Sequence, residues 1–199
     1  MLFTGAAGLL LRVLLPIFFT LVGHEASQAR CEWEPQDLDA LRAEGVRLIH
    51  QPAEEGVAIK AFVFVAASRA DAVRILWDHE RFPEFLPQAR SVRILKKRGN
   101  IHDVEQVGGQ GPFVLTLLTE RHLLEDGVSW RSIGGDLKRN DGALRVQSVP
   151  RGTVLQYQVH LVTKQSVPVQ IIRFLQGQAL PKMLLAFKER IEKQAREGS

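Results

Sequence analysis

The chain has 199 residues, of which 45% are hydrophobic and 24% are charged, and its formal net charge is +4. This is the composition of an ordinary globular protein, and it excludes collagen and low-complexity disorder. The single cysteine excludes an internal disulfide, and a chain of this length buries roughly 70% of its unfolded surface, so it needs no stapling metal or disulfide.

The first predicted element is an apolar N-terminal segment, which we interpret as a secretory signal peptide over residues 1–29. It has a charge at Arg12, an apolar core, and small residues at Ser27 and Ala29 before the expected cleavage site. The alternative is an uncleaved membrane anchor. That alternative places Arg12 near the middle of the span, where a charge costs about 3 kcal/mol.

The predicted signal implies an exported, periplasmic protein of a bacterial envelope, membrane-anchored if the signal is retained. Cys31 is a weak candidate for lipidation because Arg30, rather than a small residue, precedes it, so we expect a free thiol. An exported destination argues against a nucleic-acid partner. The mild positive charge is compatible with contact to an anionic membrane surface.

After the signal we predict an N-terminal extension over residues 30–56 and a ligand-binding domain over residues 57–199. Within the extension, Asp37–Glu44 has the pattern of a short helix and Val46–Ile49 that of a short extended segment. Val57–Ala66 is the first long strand, because β-branched and aromatic residues dominate it.

Two short helices are predicted next. Ser68 begins the first, since Ser68 and Asp71 form a capping-box-like start. The second is Glu84–Leu86, bracketed by Pro83 and Pro87.

Six further extended segments follow, and the short turns between them predict an antiparallel meander. They are Ala89–Arg98, Ile101–Val107, Phe113–Glu125, Val128–Leu137, Ala143–Val149 and Thr153–Thr163. One of the turns is predicted at Asp141–Gly142. Apolar and polar residues alternate from Leu155 to Leu161, which predicts one buried and one wet face for the last strand.

A long amphipathic helix is predicted from Val169 to about Ala195, after Pro168. A helix of about 27 residues is about 40 Å long and can cross a whole sheet. Pro181 removes a helix hydrogen bond and predicts a bend. Only this helix is large enough to cover the apolar sheet face, and the small residues Gly177 and Ala179 favour a gap beneath it, which is the candidate ligand site.

The residues that carry a family resemblance are Ala72–Asp78, Phe82–Pro87, Ser91–Val92, Trp130, Gly142, Gly152–Thr153, Tyr157 and Pro168. In these residues, over roughly 57–195, the chain resembles the START-like (SRPBCC) superfamily, in particular its polyketide cyclase/dehydrase and coenzyme Q-binding branch. The resemblance implies an α+β helix-grip fold. In that fold a curved antiparallel sheet of about seven strands surrounds a long C-terminal helix, and two short helices follow the first strand.

The sequence shows no catalytic, metal-binding or cofactor motif, so we predict no metal and no cofactor and assign no catalytic residue, and enzyme activity stays open. No histidine pair has zinc spacing. Gly108–Gly111 and Gly134–Gly135 lack the following helix that a phosphate cradle needs, and are interpreted as turn or bulge residues. His79, between Asp78 and Glu80, is interpreted as part of a solvated helix cap.

The element order and the apolar helix stripe favour a carrier for a hydrophobic small molecule, such as a lipid, a sterol-like compound, a polyprenyl compound or a quinone. The predicted wall consists of Phe113, Leu115, Leu117, Trp130, Tyr157, Phe174, Met183 and Phe187. The resemblance places Phe82 and Phe85 at the mouth of the cavity, and packing of the short helices onto the sheet rim is the alternative. Arg121 is in phase with Leu115 and Leu117, which makes it the candidate for a ligand's polar head, against an outward-facing strand end.

Two other functions stay open at this point. The resemblance also permits a polyketide cyclase/dehydrase (aromatase) enzyme in the same cavity. A module that binds another envelope protein, with its gap filled by its own side chains, is the second. The basic strand Arg90–Arg98 indicates either a solvated outer face or peripheral contact with anionic lipid headgroups.

Overall fold

The computed structural model describes residues 38–110, 113–164 and 169–198; the predicted signal segment, Cys31 and Pro168 lie outside them. The elements are, in order, α1 (Leu38–Glu44), β1 (Val46–Gln51), β2 (Val57–Val65), α2 (Arg69–Trp77), a 3₁₀ helix (His79–Glu84), β3 (Ala89–Arg98), β4 (Ile101–Gln110), β5 (Phe113–Leu124), β6 (Gly127–Gly135), β7 (Leu137–Val149), β8 (Gly152–Thr163) and α3 (Val169–Glu197).

The eight strands form one curved antiparallel sheet in the order β1-β2-β8-β7-β6-β5-β4-β3. The long helix α3 packs on one face, called the inner face here, so the predicted helix-grip fold is confirmed. The sheet has eight strands rather than about seven, because β1 pairs along β2 from Val46 opposite Val63 to Gln51 opposite Ala58. The segment predicted as an N-terminal extension thus supplies an edge strand.

Side chains of β2 point alternately to the two faces of the sheet, and apolar clusters cover both faces. Alternate residues from Val57 to Val65 are buried on the inner face. On the outer face, Phe62 joins Leu38 and Leu41 of α1 and Val154 of β8 in a second, smaller cluster. The short helix α1 therefore closes the part of the outer face that carries large apolar side chains.

The first short helix begins as predicted, and the second begins earlier than predicted. The Ser68 hydroxyl accepts a hydrogen bond from the Asp71 backbone N–H (3.1 Å) and caps α2. The 3₁₀ helix starts at His79 rather than Glu84, because the Arg81 N–H already bonds to the Asp78 carbonyl (3.2 Å).

The turn predicted at Asp141–Gly142 is wrong, since both residues lie inside β7. Gly142 pairs with Val159 on one side and with Trp130 on the other. A Cβ at Gly142 would come within 2.4 Å of the Gln158 carbonyl oxygen and within 2.6 Å of the Trp130 ring. The glycine is therefore needed for the close approach of the β8 backbone and of an indole, not to form a turn.

The helix α3 continues through Pro181, and the bend predicted there stays a prediction. Polar contacts between described residues hold its C-terminal half against the rest of the fold. Lys188 Nζ donates to the Phe64 carbonyl (2.8 Å), Glu192 accepts from the Ala66 N–H (2.8 Å), and Arg190 pairs with Glu84 (3.0 Å).

Within the described ranges, no helix combines the length and the apolarity that crossing a membrane requires.

Candidate functional site

A cavity of about 210 Å³ lies between the inner face of the sheet and α3. Strands β4 to β8 supply the floor and α3 supplies the roof. Most of the wall is apolar; the described polar side chains on it are Gln88, Gln106, Arg121, Asn140 and Tyr157. Such an apolar, partly enclosed space with a few polar groups is typical of small-molecule sites.

Most of the side chains predicted for the site lie on this cavity wall. They are Phe82, Leu115, Leu117, Arg121, Trp130, Tyr157, Met183 and Phe187. The strand phase explains the placement, because side chains two residues apart share one face of a strand. The placement shows which side chains a guest molecule would meet, while their binding role stays a prediction.

Two predicted residues lie elsewhere. Phe113 does not line the cavity: it is the first residue of β5, lies at the end of the ladder opposite Gln110, and is 42% exposed. Phe85 packs behind the wall, with its ring 5.5 Å from that of Phe187 and below the guanidinium of Arg190. The side chain of Phe174 lies outside the described residues.

Arg121 lies on the cavity wall without a carboxylate partner. Its Nη2 donates to Gln106 Oε1 (2.7 Å) and its Nε to Thr119 Oγ1 (3.3 Å), and its guanidinium lies 5.5 Å from the centre of the Phe82 ring. Within residues 38–110, 113–164 and 169–198, no acidic group forms an ion pair with it. Desolvation lowers the pKa of Arg121 to about 10, so the side chain stays charged at neutral pH.

Trp130 lies next to Arg121 and contacts the polar residues Asn140 and Tyr157. It lies directly across from Arg121 in the β5–β6 ladder. Its indole N–H donates to Asn140 Oδ1 (3.2 Å), and its ring lies 5.8 Å from that of Tyr157. Burial raises the pKa of the Tyr157 hydroxyl, which therefore stays protonated. Arg121, Asn140 and Tyr157 thus form one polar end in an otherwise apolar cavity, and this group is called the polar end below.

The interpretation of His79 as part of a solvated cap is wrong, because the side chain is fully buried. The 3₁₀ helix places it over β4, with Nε2 3.2 Å from Nδ1 of His102 and with its ring at the edge of the Trp77 ring. Burial, with a contribution from the Arg121 charge, lowers the pKa of His79 to about 2. The aromatic residues Trp77 and Phe82 on either side were the signal for a buried position.

The basic strand β3 is largely neutralised by acidic neighbours. Arg93 pairs with Glu105 (2.6 Å), and Arg98 pairs with Asp103 (2.7 Å) and Glu120 (2.9 Å). These pairs favour a solvated outer face over a strongly cationic lipid-binding strip, and membrane contact stays a prediction. The described residues contain no group of three or more potential metal ligands.

The fold and the cavity define a class of protein, namely the helix-grip domains that hold a guest between a curved sheet and a C-terminal helix. Residues 65–188, more than half of the chain, match the profile of the family described as polyketide cyclase / dehydrase and lipid transport. The chain therefore belongs to that family.

Solved structures show the same fold at low sequence identity. A STAR-related lipid transfer protein from Xanthomonas axonopodis is 15% identical, with a TM-score of 0.64 over 74% of this chain and 94% of its own. The Zhui aromatase/cyclase from Streptomyces sp. R1128 is 14% identical, with a TM-score of 0.61 over 77% and 98%. Human STARD10 is 17% identical, with a TM-score of 0.58 over 84% and 85%. No curated protein sequence matches the chain significantly.

Proposed function

We propose that the chain is an exported binding protein that carries a hydrophobic small molecule, such as a lipid, a sterol-like compound, a polyprenyl compound or a quinone. The observation that carries the proposal is the cavity under α3, whose wall is apolar apart from the polar end and the glutamines. Apolar ligand surface that moves from water into such a space gains about 25 cal/mol per Å². Family membership supports the proposal, because the family description includes lipid transport.

Export is proposed from the apolar segment and small-residue end of residues 1–29. Fractionation of cells that express the full chain tests it, together with the N-terminal sequence of the mature protein. We expect protein in the envelope fraction with Arg30 as its first residue. Cytosolic protein that still begins at Met1 would contradict the proposal. Vesicle flotation with and without anionic lipid would test peripheral membrane contact.

Binding is tested on protein purified from its own cells, by native mass spectrometry for a retained apolar molecule and by titration with a neutral hydrophobic dye. Ala179→Phe, on the cavity roof, should reduce dye binding because the larger ring occupies the space. Gln178→Phe is the matched control, since Gln178 is exposed on the same helix. If the protein neither retains a ligand nor binds the dye, the carrier function is excluded.

A cyclase or dehydrase activity is the second candidate, because Arg121 and Tyr157 face the same cavity. A guanidinium and a phenol can together polarise a carbonyl and stabilise an enolate. Neither group titrates near neutral pH, however, so neither provides a ready general base. Turnover of a model polyketone that is abolished by Tyr157→Phe would favour the enzyme, and retained ligand without turnover would favour the carrier.

A further inference from the structure

The polar end contains a charge that the described part of the fold does not neutralise. Arg121 donates only to the neutral oxygens of Gln106 and Thr119. The elements packed around it offer His102 and Trp130 from the neighbouring strands, Tyr157 from β8, and His79 and Phe82 from the 3₁₀ helix, and none of these is acidic. A desolvated cation of this kind is costly unless a counter-charge meets it.

The free hydrogen-bonding groups of the polar end are mainly donors. A guanidinium has five N–H groups, and Arg121 uses two of them in the contacts above. The Asn140 oxygen already accepts from Trp130, which leaves its NH₂ group. The Tyr157 hydroxyl has no hydrogen-bond partner among the described residues and stays protonated. The group that fits best is therefore one that only accepts hydrogen bonds and that carries a negative charge.

We infer that the cavity takes an amphiphile with a single ionised carboxylate, whose head meets Arg121 and Tyr157 and whose apolar tail lies under α3. This inference rests on the proposed carrier function and names its ligand class. The described wall contains one cation, so one negative charge on the ligand balances it. A carboxylate can also form the paired, bidentate contact that a guanidinium favours.

Two other head groups fit less well. A phosphate monoester brings a second negative charge for which the described wall has no cation. A neutral alcohol, sterol or quinone leaves the Arg121 charge uncompensated and removes the remaining water from it. Both classes are arms of the test below.

The test is displacement of the neutral dye Nile red from the purified protein, at mildly alkaline pH, by four twelve-carbon amphiphiles: dodecanoate, dodecanol, dodecylamine and dodecyl phosphate. We expect dodecanoate to displace the dye at about tenfold to a hundredfold lower concentration than dodecanol. Arg121→Gln should abolish that preference, with each displacement measured relative to the variant's own affinity for Nile red. Arg131→Gln should keep it, because Arg131 is exposed and paired with Glu120 outside the cavity.

The outcomes separate this inference from the carrier function. Nile red binding with equal displacement by dodecanoate and dodecanol overturns the carboxylate head and leaves a carrier. Stronger displacement by dodecyl phosphate or dodecylamine also overturns it. If the protein binds neither the dye nor any of the amphiphiles, the proposed carrier function itself is contradicted. If Arg121→Gln does not fold, the inference is tested by the ratio of the dodecanol and dodecanoate concentrations that displace Nile red, measured for the wild type and for Arg121→Lys. The lysine keeps the charge but loses the planar pair of donors.

Discussion

Replacing Arg121 by Met should stabilise the ligand-free protein, although it removes two hydrogen bonds. Desolvation lowers the pKa of the guanidinium from 12.5 to about 10. At 1.36 kcal/mol for each pH unit, the folded state therefore bears a cost of about 3 kcal/mol for keeping this group charged. Losing the hydrogen bonds to Gln106 and Thr119 offsets about 1 kcal/mol of that gain for each bond. The net expectation is a gain of about 1 kcal/mol, or about 2–4 °C in Tm for a chain of this size.

The measurement is urea unfolding, followed by circular dichroism, of delipidated protein, because a bound ligand would stabilise the wild type alone. Arg131→Met is the matched control: this exposed arginine pairs with Glu120 on the surface, and its loss should change the free energy of unfolding by about 0.5 kcal/mol or less. If Arg121→Met loses more than about 1 kcal/mol while the control does not, the guanidinium is compensated within the protein. The argument for an unneutralised cation would then fail.

Three further predictions concern the frame around the cavity. His79 is buried and neutral in the folded protein, whereas the unfolded chain protonates it below pH 6.5. The free energy of unfolding should therefore fall by about 2 kcal/mol between pH 7 and pH 5. Urea denaturation at both pH values should show a smaller fall for His79→Phe. Leu184→Ala should cost 2–5 kcal/mol in urea unfolding and the exposed Leu185→Ala about 0.5 kcal/mol or less; equal losses would contradict the packing of α3. Gly142→Ala should cost more than about 1 kcal/mol, because its methyl group would crowd the Gln158 carbonyl and the Trp130 ring. Gly177→Ala, with open space around it, should instead gain about 0.5–1 kcal/mol, and a calorimetric Tm that rises for both variants would be inconsistent with the crowding at Gly142.

The elements that sequence patterns predicted well are those whose cause is local. The β-branched run of β2, the Ser68 cap of α2 and the apolar stripe of α3 each act within a few residues of the chain. Gly142 was misassigned because its cause is distant in sequence. A glycine next to an aspartate favours a turn. The close approach of Trp130 on one neighbouring strand and of the Gln158 carbonyl on the other shows why a strand needs a glycine here.

The same distinction holds within the cavity. Strand phase alone placed Arg121 on the same face as Leu115 and Leu117, and the structure puts all three on the cavity wall. The lack of a counter-charge depends on which side chains of β4 and β5 approach the guanidinium, and no local pattern contains that information. The burial of His79 likewise depends on how the 3₁₀ helix folds over His102.

The free energy of unfolding of the ligand-free protein and the preference for a carboxylate head should both depend on Arg121. The cost of desolvating Arg121 is present in the free protein, and an anionic head is the ligand feature that offsets it. The desolvation cost of Arg121 should therefore be reduced by bound dodecanoate but not by dodecanol, and Arg121→Met should remove the same cost in the absence of ligand. A large preference that survives in Arg121→Gln, together with no stabilisation of Arg121→Met, would mean that Tyr157 and Asn140 recognise the head group without Arg121.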